Sequence, residues 1–209
     1  MLINEMRNPA DDAGLAEEFR ELRERLDPVA QIEPSGLDRA LRRAAVLVPI
    51  LETADGPSLL LTRRTDSVET HKGQISFPGG AAEGLEPFPV GTALRESQEE
   101  VGVPPVAVHP WGLLNPQESI AGFWVVPVVG EVRWQGPWRL SADEVTHLLF
   151  VPLSWLADEV HREVRPLRRP DGRVESVLFF APYHGDVIWG LTASIIADLL
   201  ERMKSGEEK

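Results

Sequence analysis

The sequence predicts an α/β sandwich with a mixed β-sheet, and three observations carry that prediction. Apolar runs with strand character recur at 44–51, 59–62, 106–114, 123–132 and 174–181. Between the second and the third lies a stretch of helical period, in which Val90, Leu94 and Val101 share one face. A second such stretch, 191–203, carries Ile195, Ile196, Leu199 and Leu200 on an inward stripe. Strands interleaved with a central and a terminal helix pack as helices over a sheet.

In chain order, residues 11–26 set Leu15, Phe19, Leu22 and Leu26 on one helical stripe. That stripe packs either on the domain, the favoured reading, or on a second subunit, so a homodimer is left open. Two prolines and a glycine make 27–36 a linker. The chain thus divides into an N-terminal helix and linker, 1–36, and one domain, 37–209. The continuous run 44–51 reads as a buried strand, joined to 59–62 through a turn at Ala54, Asp55, Gly56 and Pro57. Residues 65–76 read as a polar loop and 115–122 as another. Residues 145–156 read as short helical or irregular structure around Pro152, and Ile188, Trp189 and Gly190 lead into the terminal helix.

Composition narrows the function. The 209 residues are 43% hydrophobic and 26% charged, an ordinary soluble balance with enough apolar material for a core. A net charge of −12 argues against nucleic acid as a partner, since that binding feeds on lysine and arginine. The absence of cysteine excludes disulfide and thiolate chemistry. No signal peptide or long apolar run is visible, so the expectation is a cytoplasmic protein without a membrane partner.

The central helix carries the chemistry. Glu96, Glu99 and Glu100 stand at i, i+3 and i+4 and so share one face, away from Val90, Leu94 and Val101. Pro87 or Pro89 suits the helix start, and Gly102 followed by Pro104 and Pro105 the stop. Three like charges on one face repel, and a hard divalent cation such as Mg²⁺ would remove the repulsion while keeping coordination sites for phosphates. An acidic solvated face is the bland alternative.

The segment from Phe77 to Val103 resembles the Nudix box, G-x5-E-x7-R-E-U-x-E-E-x-G-U with U apolar. Gly80, Glu86, Arg95, Glu96, Glu99, Glu100, Gly102 and Val103 fill its fixed positions. Eight residues rather than seven separate Glu86 from Arg95, and Ser97 stands at an apolar position. The resemblance implies the Nudix-type α/β/α sandwich over about 42–204, and a metal centre for diphosphate chemistry.

Upstream, Leu60, Leu61, Thr62, Arg64, Gly73 and Phe77 to Gly80 are similar to the signature of Nudix coenzyme A pyrophosphatases, LLTxR[SA]x3Rx3Gx3FPGG. Thr65 replaces a small residue, and Glu69 stands where that signature has arginine. Asn115 with Pro116, Asp143 to Val145, and Trp189 to Ala193 also look like that family. The resemblance implies hydrolysis of coenzyme A or a derivative to 4′-phosphopantetheine and 3′,5′-ADP, with Mg²⁺ or Mn²⁺ as cofactor. Glu96 and Glu100 are the first metal ligands, with Glu99 as a third ligand or a partner of Arg95. The Gly80 or Gly79 carbonyl completes the shell. Arg95, Glu99 and Glu144 are the catalytic candidates, Glu144 as a general base. Arg64, His71, Lys72, Phe77, Gly79 and Gly80 are the substrate-binding candidates; arginine suits bidentate phosphate contacts. His109, His147, His161 and His184 lack ligand-like spacing and read as surface or packing residues. Glu69 keeps another nucleoside diphosphate, such as ADP-ribose, open as substrate. A ligand-binding module without turnover is also open, against the intact Arg95, Glu96, Glu99, Glu100 set.

Overall fold

Two cores on opposite faces of one sheet organise the computed structural model, which describes residues 15, 19–30, 41–65, 73–168 and 172–204. The sheet has eight strands, with β3-β2-β1-β7-β5 as its spine. These are β1 (Arg42–Thr53), β2 (Gly56–Arg64), β3 (Ile75–Ser76), β4 (Gly79–Ala81), β5 (Val108–Leu113), β6 (Gln117–Glu118), β7 (Phe123–Val132) and β8 (Val145–Pro152). β1 and β7 run parallel, every other pairing is antiparallel, and β4, β6 and β8 attach to β1, β7 and β2. Side chains alternate across a strand, so Leu59 and Leu61 enter one core while Leu60 enters the other.

The helices cover both faces. α1 (Arg20–Arg25) and α4 (Gly190–Lys204) lie on the first core with α3 (Leu153–Ala157); α2 (Val90–Val101) lies on the second. This is the expected α/β sandwich. Phe19, Leu22 and Leu26 are buried in the first core, so the N-terminal helix docks on its own domain. Arg25 and Arg202 exchange hydrogen bonds with each other's backbone carbonyls at 2.9 and 2.5 Å, and Asp27 forms a β-bridge to Leu113. Of the expected 11–26 helix, 11–14 and 16–18 lie outside the described residues, as do 31–36 of the linker.

Two expectations need correction, and one strand goes beyond them. Residues 145–152 form an edge strand, because β2 offers them a complete ladder, and only Leu153–Ala157 turns helical after Pro152. The 65–76 stretch contains β3, paired to Thr62 and Arg63. A further strand, β9 (Arg162–Arg168), pairs with β10 (Val174–Phe180) in a separate ribbon; its charge-rich sequence has no apolar alternation to read. Among the described residues no helix is long and apolar enough to cross a membrane.

Candidate active site

The site forms where β4, the N-terminal half of β1 and α2 meet. β4 pairs with β1 at Ala44, Ala45 and Val46. A Cβ on Gly79 would stand 2.5 Å from the Ala45 carbonyl oxygen and 2.6 Å from Val46 Cα, so glycine is required there. A Cβ on Gly80 would collide with the Glu96 carboxylate. The two glycines thus let backbone and carboxylates share one cradle. Phe77, just upstream, is buried in the first core and anchors the loop instead of offering a face to a ligand.

α2 docks through a face rotated from the expected one. Thr92, Ala93, Ser97, Glu100 and Val101 are buried, whereas Val90 and Leu94 only flank the core. Ser97 tolerates burial because its hydroxyl donates to the Ala93 carbonyl at 2.7 Å. The helix closes on left-handed Gly102 (φ 79°), whose missing Cβ leaves room for Arg139. Arg139 and Ser141 then donate backbone N–H groups to the Val101 and Glu100 carbonyls at 3.1 and 2.9 Å. This strap brings Glu144 to the acidic centre.

Arg95 ties the outer carboxylates together. It contacts Glu86 Oε2 at 2.9 Å, Glu96 Oε1 at 2.9 Å, Glu99 Oε2 at 3.0 Å and the Ala81 carbonyl at 2.9 Å. Glu86 also accepts from the Thr92 hydroxyl at 2.6 Å and the Glu83 N–H at 2.9 Å. Burial pushes its carboxyl up, but the hydrogen bonds from Arg95, Thr92 and Glu83 outweigh that and hold it at about 2. The turn that opens α2 lies between Glu86 and Arg95, and there the Pro87 carbonyl takes the Gly91 N–H at 2.6 Å. Hydrogen bonding to Glu86, against the cost of burial, raises the Arg95 pKa further.

Inside this ring, Glu100 is 2% exposed, and burial drives its carboxyl up to about 8. Arg64 and the Gly79 N–H oppose the rise, while Glu144 and Glu96 add to it. Arg64 Nη1 stays 3.6 Å from Glu100 Oε1, beyond good hydrogen-bond distance. Glu100 Oε2 and Arg64 Nε are buried with no hydrogen-bond partner. Burial also raises Glu96, eased by Arg95 and aggravated by Glu99 and Glu144. Arg64 reaches the site because strand alternation puts it on the same face of β2 as Leu60, the face that α2 covers.

The structure therefore brings together Glu96, Glu100, Glu144, Arg64, Arg95, Gly79 and Gly80. Glu99 is 58% exposed and pairs with Arg95, one of its two expected roles. His71, Lys72 and Glu69 lie outside the described residues. Among the described residues no group of three or more His, Cys, Asp or Glu side chains is drawn in closely enough to hold an ion as it stands. The donor set nonetheless fits a hard cation, because a buried carboxylate oxygen without a partner and an all-oxygen cradle are what Mg²⁺ or Mn²⁺ takes.

Family-like residues elsewhere turn out to be fastenings. Asn115 binds Asp198 of α4 through its backbone N–H at 3.0 Å and its side chain at 3.1 Å. The buried Thr192 hydroxyl donates to the Ile75 carbonyl at 3.0 Å, and Trp189 stacks on Phe179. Sequence reasoning missed one constellation: Arg63 and His147 both bind Asp186, at 2.7 and 2.8 Å. No spacing signal finds it, since 39 residues separate His147 from Asp186.

Comparison with known proteins gives the family. Residues 41–171 match the NUDIX domain. The chain is similar to the protein named Uncharacterized Nudix hydrolase NudL of Pectobacterium atrosepticum, 42% identical over 160 residues that cover 76% of this chain and 81% of that one. It is 39% identical over 159 residues to the protein of that name from Salmonella paratyphi B, with the same shares covered. A MutT/nudix family protein from Enterococcus faecalis has a similar solved structure, with a TM-score of 0.49, 16% identity, and 96% of this chain and 76% of that one covered. The chain belongs to the NUDIX domain family.

Proposed function

We propose that this protein hydrolyses the diphosphate bond of coenzyme A or a close derivative, releasing 4′-phosphopantetheine and 3′,5′-ADP. The observation that carries the hydrolytic reading is Glu100, buried, unsatisfied at Oε2 and crowded by Glu96 and Glu144. A protein interior does not keep such a group without a ligand to compensate it. Hydrolases of this family generally use divalent metal ions. Glu96, Glu100 and the Gly80 carbonyl would hold Mg²⁺ or Mn²⁺, with Glu144 beside them. A cation bound there supplies charge neutralisation at the phosphoryl oxygens and a more acidic bound water.

The chain's own residues do the rest. Arg95 fixes Glu96 in place and balances Glu86 and Glu99, which would otherwise spread from the site. Arg64, with an unpaired buried N–H, offers a donor to a phosphoryl oxygen. Glu144 accepts the proton of the attacking water as its oxygen bonds to phosphorus and the bridging P–O bond breaks. The leaving phosphate departs as an anion that needs no proton from the protein.

The coenzyme A assignment rests on the residues around β2 and the Phe77 to Gly80 turn. A panel of diphosphates with product analysis tests it. Coenzyme A should give 3′,5′-ADP at the highest kcat/KM, and ADP-ribose turned over far faster would replace that substrate.

A further inference from the structure

Arg64 and Thr65 are adjacent at the end of β2 and act on the acidic centre by different means. Arg64 approaches Glu100 with its side chain, 3.6 Å from Oε1. Thr65 reaches instead the turn that carries Glu144. Its N–H donates to the Glu144 carbonyl at 2.9 Å, and its hydroxyl donates to the Asp143 carbonyl at 2.7 Å. The same turn is tied at its start to α2. The Ser141 N–H donates to the Glu100 carbonyl at 2.9 Å, and the Ser141 carbonyl accepts from the Glu144 and Val145 N–H groups at 3.1 and 2.8 Å. One end of the turn therefore hangs on the backbone of Glu100 and the other on Thr65.

Packing does little to hold this segment. Ala142 and Asp143 are exposed, Ser141 and Glu144 are half-buried, and none of the four belongs to either core. The strand beyond is irregular as well. Arg63 faces His147 but Arg64 faces Val145, so Thr146 is left over where the turn joins β8. Glu144 nonetheless stands close enough to Glu96 and Glu100 to oppose the ionisation of both. A carboxylate on an exposed turn beside a loosened ladder keeps its aim only if its backbone is fastened. The β-branched Thr65 side chain, stiff at χ1, suits that task.

We propose that Thr65 is a positioning residue, clamping the 141–145 turn so that the Glu144 carboxylate is held toward Glu96 and Glu100. Only the use of Glu144 as proton acceptor rests on the function proposed above; the clamp does not. Thr65 acts through the main chain of Asp143 and Glu144.

The test separates the hydroxyl from the rest of the side chain. Thr65→Val keeps the shape and the N–H but loses the hydroxyl, whereas Thr65→Ser keeps the hydroxyl. Amide hydrogen exchange is followed at Glu144 and Val145 in metal-free protein. kcat and KM are measured with Mg²⁺ and the diphosphate that the panel selects. Thr65→Val should exchange at those two amides roughly five-fold faster, the worth of one hydrogen bond. It should also lose roughly ten-fold in kcat at little change in KM, as a displaced base does. Thr65→Ser should restore both readings. Adding Glu144→Gln to Thr65→Val should cost no more than Glu144→Gln alone. Faster exchange in Thr65→Val, with Glu144→Gln at wild-type kcat, would sink Glu144 as the base and keep the clamp. Unchanged exchange in Thr65→Val would overturn the clamp and leave Glu144 as the base. With Glu144→Gln impaired, a wild-type kcat in Thr65→Val, or losses that multiply in the double variant, would overturn it in the same way.

Discussion

Two buried carboxylates, met from opposite faces of β2 by Arg63 and Arg64, behave in opposite ways. Asp186 is saturated: Arg63 and His147 lie 2.7 and 2.8 Å from its two oxygens. Glu100 is left open: Arg64 stops at 3.6 Å and Oε2 has no partner. A saturated carboxylate braces its neighbours, since its desolvation is offset by charge-assisted hydrogen bonds. An open one resists ionising until something binds. The difference separates a fastening from a reactive centre, although both are acidic residues under an arginine.

The largest effect that could break this comparison is at Glu100. Glu100→Gln should lower turnover by roughly a hundredfold or more, because a ligand there supplies several kcal/mol of charge stabilisation. The metal-free variant should nonetheless be the more stable protein at pH 8. The folded carboxyl titrates at about 8 against an ordinary 4.5, so wild type loses stability as pH rises from 4.5 to 8. Thermal melts without metal at pH 5 and pH 8 check the sign. Melting temperatures of wild type that rise over that interval would mean Glu100 is not strained.

Next comes the docked face of α2. Val101 is fully buried, so Val101→Ala should cost about 2 kcal/mol, and Leu94→Ala, only flanking the core, about 1 kcal/mol. Denaturant unfolding ranks the two, and the reverse order would place Leu94 on the docked face and Glu100 off it.

Asp186→Asn should cost about 1–2 kcal/mol, modest because water screens both half-exposed partners. That corresponds to a fall in Tm of about 2–8 °C for a chain of this size. A loss of activity in this variant at unchanged KM for coenzyme A would make Asp186 part of the reacting centre and erase the contrast with Glu100.

The smallest effect is at Glu86, whose sign is opposite to that of Glu100. Its carboxyl is held at about 2, below the ordinary 4.5, so its contribution is present above pH 4.5 and lost as pH falls toward 2. Glu86→Gln should flatten the acid limb of the stability curve between those values. An acid limb identical to that of wild type would show that Arg95 does not hold this carboxylate.

Much of this was legible without coordinates, for a physical reason. Helical period and turn chemistry are local, so α2, its stop at Gly102 and the clustering of Glu96, Glu99 and Glu100 follow from spacing along the chain. The strands at 44–51 and 123–132 are equally plain, because burial on both faces leaves long apolar runs. Composition likewise fixed a chain with ample core and no thiol chemistry.

The tertiary structure decided which group each charge meets, since that depends on residues distant in sequence. It rotated α2 so that Glu100 is buried and Glu99 pairs with Arg95. It made 145–152 a strand, because only β2 supplies the ladder. Strand alternation sends Arg63 and Arg64 to opposite faces, and the packed chain brings Asp186 to the first of them from 123 residues away. Charges on one helix face can be read from the period of the helix; whether each is satisfied or left open is a property of the packed whole.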